Sequence, residues 1–104
     1  MGKYINKDGK VGVLVSVGFG AGWSTWNDNE DFLAMDKKLV EMKLNKAPIE
    51  EVEAYCKKVN GEAPYMAGWG NVEVRWMRQG AVFRVSEYDG SESLVSACDD
   101  VMEA

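Results

Sequence analysis

The spacing of hydrophobic and polar positions changes period twice along the chain. Lys10 to Val17 is apolar almost without alternation, which predicts a strand buried on both faces and therefore central in its sheet. A shorter β-like segment, Lys3 to Ile5, precedes it. Asn6-Lys7-Asp8-Gly9 between the two predicts a hairpin turn, because glycine takes a positive φ at little cost. The period then becomes helical: Phe32, Met35, Leu39 and Met42 form a stripe that Leu33, Val40 and Leu44 widen, while Lys37, Lys38, Glu41 and Lys43 fall mostly outside it. Asp28-Asn29 offers N-cap side chains, and Glu30 and Asp31 place carboxylates where the helix dipole favours them. This predicts one amphipathic helix to about Asn45. A second is predicted from Pro48, with Ile49, Val52, Cys56 and Val59 facing inward, Tyr55 beside them, and Asn60-Gly61 as its close.

From Val72 the period drops to two. Val72, Val74 and Trp76 alternate with Glu73, Arg75 and Met77; Arg78-Gln79-Gly80 predicts a turn; and Ala81 to Tyr88 alternates again, with Phe83 and Val85 on one face. Asp89-Gly90 predicts a second hairpin turn into a strand from Glu92 to Ala97. The C-terminal half thus reads as an antiparallel meander. The expected fold class is α+β, an antiparallel or mixed β-sheet in the order β-β-α-α-β-β-β with a two-helix hairpin packed on one face. No linker or repeat divides residues 1–104, so a single domain is expected.

Composition narrows the setting. With 104 residues, 46% of them hydrophobic, the chain has enough apolar material for a modest core. Its longest uncharged apolar run, Val11 to Val17, is too short to cross a bilayer and lacks the flanks of a secretion signal, so a cytoplasmic protein is expected. Cys56 and Cys98 are expected to be reduced thiols, since two cysteines do not make a disulfide scaffold.

The formal charge of −5 is unevenly placed: residues 1–86 carry 12 bases and 11 acids, and the other six acids, Glu87, Asp89, Glu92, Asp99, Asp100 and Glu103, lie in the segment 87–104 without a base. Such a field repels phosphates and attracts basic protein surfaces. Nucleic-acid binding is not expected, because Arg75, Arg78 and Arg84 make at most a small basic patch.

The most unusual stretch, Gly18-Phe19-Gly20-Ala21-Gly22-Trp23-Ser24-Thr25-Trp26-Asn27, fails both phosphate-binding motifs. Neither glycine register supplies the dinucleotide fingerprint, and no Gly-Lys-Ser/Thr follows for a P-loop. What it offers is backbone N–H groups beside indoles, suited either to a planar or anionic ligand or to a sharp corner under a buried Trp23. Pro64-Tyr65-Met66-Ala67-Gly68-Trp69-Gly70-Asn71 is a second glycine-aromatic cluster. Brought together, the two would gather Trp23, Trp26 and Trp69 on one rim, with Asn27, Asn71, Arg75 and Arg84 as polar partners. Catalysis is not expected. The chain has no histidine, its cysteines lack zinc spacing, and Asp28, Glu30 and Asp31 read as dipole complements before they read as an acid–base set. No cofactor or metal is expected.

Two pieces, the glycine-aromatic stretch and Phe83-Arg84-Val85-Ser86-Glu87-Tyr88-Asp89-Gly90-Ser91-Glu92-Ser93, resemble a group of small uncharacterised phage and prophage proteins. In that group a strand runs into a Gly-x-Gly-Ala-Gly-Trp-x-Thr-Trp-Asn loop, and a late hairpin carries Glu-Tyr-Asp-Gly-Ser-Glu-Ser. The resemblance implies a phage protein in the bacterial host cytoplasm that acts by stoichiometric binding, blunting a host defence factor. It carries across Gly20, Gly22, Trp23, Thr25, Trp26 and Asn27 from the first motif, and Glu87, Tyr88, Asp89, Gly90, Ser91, Glu92 and Ser93 from the second. Three functional readings follow. The first is an inhibitor using the acidic hairpin and the exposed part of the loop against a host protein. The second is a sponge for a signalling nucleotide, stacked by Trp23, Trp26 and Trp69, paired with Arg75 or Arg84, and able to be completed across a homodimer through an unpaired sheet edge. The third, a minor one, is a carboxylate-dependent hydrolase.

Overall fold

The computed structural model of the protein describes residues 2–96 and 102–104. Cys98, Asp99, Asp100 and the expected end of the last strand at Ala97 lie outside the described residues. The fold is α+β. Strand β1 (Lys10–Ser16) leads through a 3₁₀ turn (Ser24–Trp26) to helices α1 (Glu30–Met35), α2 (Lys37–Leu44) and α3 (Ile49–Asn60). A second 3₁₀ turn (Trp69–Asn71) then precedes β2 (Val72–Arg78), β3 (Val82–Tyr88), β4 (Ser91–Ser96) and β5 (Met102–Glu103).

The uninterrupted apolar character of β1 has the expected cause, burial on both faces, but the strand is not central in its sheet, which has only two strands among the described residues. Val11, Val13 and Val15 pack into one core cluster with Phe83, Val85 and Met102, while Leu14 on the opposite face packs into another with Leu39, Val40, Val52 and Cys56. The strand therefore sits in a middle layer, helices on one side and a second sheet on the other. Helix α1 lies at the seam: Phe32 and Leu33 join the Leu14 core, Ala34 and Met35 the core of Val11, Val13 and Val15.

That layering corrects the expected meander. β2 does not pair with β3; it runs antiparallel to β1 from Lys10↔Arg78 to Ser16↔Val72, in a two-stranded sheet. After the turn at Gly80 (φ +82) the chain leaves that plane, and β3 becomes the middle strand of a separate sheet in the order β4-β3-β5. A strand with two apolar faces needs a cover on each. A single meander would have left Val11, Val13 and Val15 bare. Hairpin β3–β4 does close as expected, with Tyr88↔Ser91 flanking Asp89 (φ +49) and Gly90 (φ +88), the paired positive values of a tight two-residue turn.

The expected helix from Glu30 to Asn45 breaks at Asp36, which is extended (φ −56, ψ 128). Its carboxylate Oδ2 accepts the Leu39 N–H (3.2 Å) and the Tyr55 hydroxyl (2.7 Å), and Lys37 N–H donates to Gly2 C=O (3.0 Å). The tertiary partners outweigh helix continuity, so a buried aspartate caps a fresh helix. Desolvation, then the hydrogen bond to Asp36, holds the Tyr55 hydroxyl far above its ordinary range. Burial likewise pushes the Cys56 thiol up to about 11, which keeps it protonated and unreactive. Pro48 and Gly61 (φ +87) bound α3 as expected, but Ile49 and Val59 are exposed; only Val52 and Cys56 of its stripe are fully buried. The expected first strand is reduced to isolated bridges at Lys3↔Asp36 and Ile5↔Val11.

Candidate binding surface

The glycine-aromatic loop is fastened by one buried carboxylate. Glu92, 4% exposed on β4, accepts the Ser16 N–H on Oε1 (2.9 Å), and on Oε2 the Trp23 N–H (2.8 Å), the Thr25 N–H (3.1 Å) and the Thr25 hydroxyl (2.5 Å). Among the described residues no cation pairs with it. Its charge is held by converging dipoles, each an N–H or O–H that would otherwise be stranded as the chain turns away from β1. Two further segments press on the same loop. The Gly20 N–H donates to Asp89 C=O (2.7 Å), Gly90 lies directly against the Ala21 backbone, and Gly68 against the Gly22 carbonyl.

Within this frame the expected rim divides. Trp23 and Trp69 are buried, packed edge to face (centroids 5.0 Å, interplanar 60°), with Trp23 Nε1–H bonded to Leu33 C=O (2.7 Å). Lys43 closes over Trp69, its ammonium 4.5 Å from the ring centroid and 2.7 Å from Trp69 C=O, and burial lowers its pKa. Both indoles therefore belong to the core, a correction to their place among the ligand-stacking residues. Asn27 is also a frame element: its side chain accepts the Tyr65 N–H (2.8 Å) and donates to Tyr65 C=O (3.3 Å) and Trp23 C=O (2.9 Å), tying the two glycine-aromatic clusters together.

What remains outside is a different set. Trp26 (40% exposed) stacks on Tyr65 (52% exposed) with centroids 5.9 Å apart and planes at 20°, and Phe19 (68%) meets Tyr88 (78%) edge-on at 6.4 Å. Glu87 joins the pairs: its Oε2 accepts Trp26 Nε1–H (3.0 Å) and the Gly90 N–H (2.8 Å) while its chain neighbour is Tyr88. Phe19, Trp26 and Tyr65, from two other segments, thus join Tyr88 in two exposed pairs, one made with Tyr88 itself and the other bonded to Glu87. Phe19 and Tyr65 were not among the expected site residues. Both lie inside the two glycine-aromatic clusters, but which aromatic of a cluster turns outward depends on partners distant in sequence.

The arginines stand apart from this rim. Arg75 is bound to Glu73 on β2 (2.6 Å) and Arg84 lies on β3 opposite Val95; among the described residues no arginine lies over an aromatic ring. Two clefts among the described residues are lined by none of Trp26, Tyr65, Arg75 and Arg84. One of about 310 Å³ is bounded by Lys3, Asp31, Phe32, Asp36 and Glu103; the other, of about 210 Å³, by Asn27, Asp28, Asn29, Asn60 and Glu62. Glu30 has its pKa raised by burial first and then by the charges of Asp31 and Glu92, and no group of acids and cysteines among the described residues could hold a metal.

The bonds from Trp26 and then Gly90 hold the Glu87 carboxyl below its ordinary value of 4.5. A depressed carboxylate stabilises the fold above its unfolded value and loses that contribution as pH falls through the folded one. We expect the Trp26 indole N–H resonance to move in a step centred below pH 4.5, and the step to vanish in Glu87→Gln. A midpoint at or above that value would show that the contact does not hold the carboxylate.

Comparison with protein-family models, with curated proteins and with solved structures found no match for the chain. What fold and surface define is therefore a class by architecture: an α+β domain carrying an acidic, aromatic rim on a buried carboxylate frame.

Proposed function

We propose that the protein is a non-enzymatic binding protein that grips another protein through Phe19, Trp26, Tyr65 and Tyr88, with Glu87 and Asp89 as flanking charges. The observation that carries this reading is the two contacting aromatic pairs left in solvent on a firmly bonded frame. Exposed aromatics of this size favour association, and their few rotatable bonds make ordering them inexpensive. The matching surface has an apolar groove bordered by lysine or arginine. In the setting that the phage-protein resemblance implies, that partner is a bacterial host defence factor and binding inhibits it.

The nucleotide-sponge reading fares worse, because two of its three stacking indoles are enclosed and its arginines lie elsewhere. The test is capture from bacterial lysate by the wild type, Tyr88→Ala and Trp26→Ala in parallel. We expect a stoichiometric protein partner whose affinity drops by roughly thirtyfold or more in Tyr88→Ala. The fold should be unchanged in that variant, since the side chain is 78% exposed. Equal capture by all three, or indole fluorescence that responds to cyclic or ADP-ribose-type nucleotides instead, would reject the reading.

A further inference from the structure

β2 has β1 on one side and no strand on the other among the described residues. The alternation of its backbone groups can be fixed from two bonds. Val17 N–H donates to Asn71 C=O, and Gly12 N–H points the opposite way, to Tyr4 C=O. The even-numbered residues of β1 thus face away from β2. By the register, Glu73, Arg75 and Met77 turn their N–H and C=O toward β1, and Val72, Val74, Trp76 and Arg78 turn theirs to the open edge. Val72 N–H is already bonded to Trp69 C=O, and Arg78 C=O accepts from Ala81 N–H. The groups left without a strand are Val72 C=O, both groups of Val74 and of Trp76, and Arg78 N–H. An edge of this kind is a template for another strand.

Charge decides which strand. Glu73 and Arg75 are exposed on the same face of β2, one step either side of Val74. If a second copy pairs antiparallel with Val74 on the two-fold axis, Glu73 falls opposite the partner's Arg75, and Arg75 opposite the partner's Glu73. These are the close, non-hydrogen-bonded positions where side chains interact most. Because only alternate residues present outward groups, the register can slip only in even steps. One such slip sets Arg75 against the partner's Arg75, the other sets Glu73 against the partner's Glu73. Like charges directly opposite disfavour both. In the favoured register Val74 exchanges both hydrogen bonds with the partner's Val74, and Trp76 N–H reaches the partner's Val72 C=O. The Glu73–Arg75 pair within each chain is replaced by two between chains, so no charge is stranded.

We infer that the protein forms a weak homodimer by antiparallel β2–β2 pairing about Val74, a contact separate from the aromatic rim. A single strand edge is a small interface, so the dimer should populate over roughly 10 µM to 1 mM. Sedimentation velocity across that range tests it. Val74→Pro removes an N–H that has no partner among the described residues, at an edge position that tolerates proline, and should leave a folded monomer. Glu73→Lys should weaken the dimer roughly tenfold or more, and the charge exchange Glu73→Arg with Arg75→Glu should restore it. A wild type that stays monomeric throughout, or a dimer that survives Val74→Pro, overturns the inference. A dimer lost in Val74→Pro but indifferent to Glu73→Lys overturns the register.

Discussion

Glu92→Ala is expected to cost about 3–5 kcal/mol, because it strands the Ser16, Trp23 and Thr25 N–H groups and the Thr25 hydroxyl in surroundings where water cannot fully replace the carboxylate. In a domain with a total stability of about 5–15 kcal/mol that is a large share. Glu92→Gln separates the two oxygens. An amide oxygen placed at Oε2 still accepts from Trp23 and Thr25, but the NH₂ then confronts the Ser16 N–H, so a smaller loss of about 1–3 kcal/mol is expected. Urea unfolding followed by circular dichroism checks both. A Glu92→Ala variant within about 1 kcal/mol of wild type would mean that the loop holds its shape without the carboxylate.

Gly90→Ala should be the other severe change. Its φ of +88 strains any L side chain, and the new Cβ would run into the Ala21 backbone, which has no rotamer to turn away. We expect about 3 kcal/mol. Gly61 supplies the internal control, since it shares the left-handed conformation (φ +87) but has open space around it; Gly61→Ala should cost only about 1 kcal/mol. Equal losses at the two positions would mean that the hairpin tip does not brace the loop.

Elements whose cause is local could be read directly. β1 announced its two-sided burial, Pro48 and Gly61 bounded α3, and Asp89-Gly90 set the hairpin. Where a distant partner decides, the pattern misleads. The stripe from Phe32 to Met42 runs through Asp36 without a gap, yet the Tyr55 hydroxyl and the Gly2 carbonyl break the helix there. Strand alternation said that Val72 begins a strand but not which neighbour it joins.

Glu92 is the sharpest case. Composition placed it in an acidic surface segment, whereas it lies inside. The clue was its parity with Leu94, whose cross-strand partner Val85 faces the core. Trp23 and Trp26 show the same limit. Three residues apart in one loop, one indole is sealed by Leu33 and Trp69 and the other is left in solvent by its bond to Glu87.

Glu92 also joins positions 67 to 76 residues apart. Phe19 and Trp26 come from one side of that closure, Tyr88 from the other, and Tyr65 from between them. No short peptide excised from the chain contains the assembled patch. A partner of the kind proposed would therefore read the finished tertiary structure, so that its binding would report correct folding.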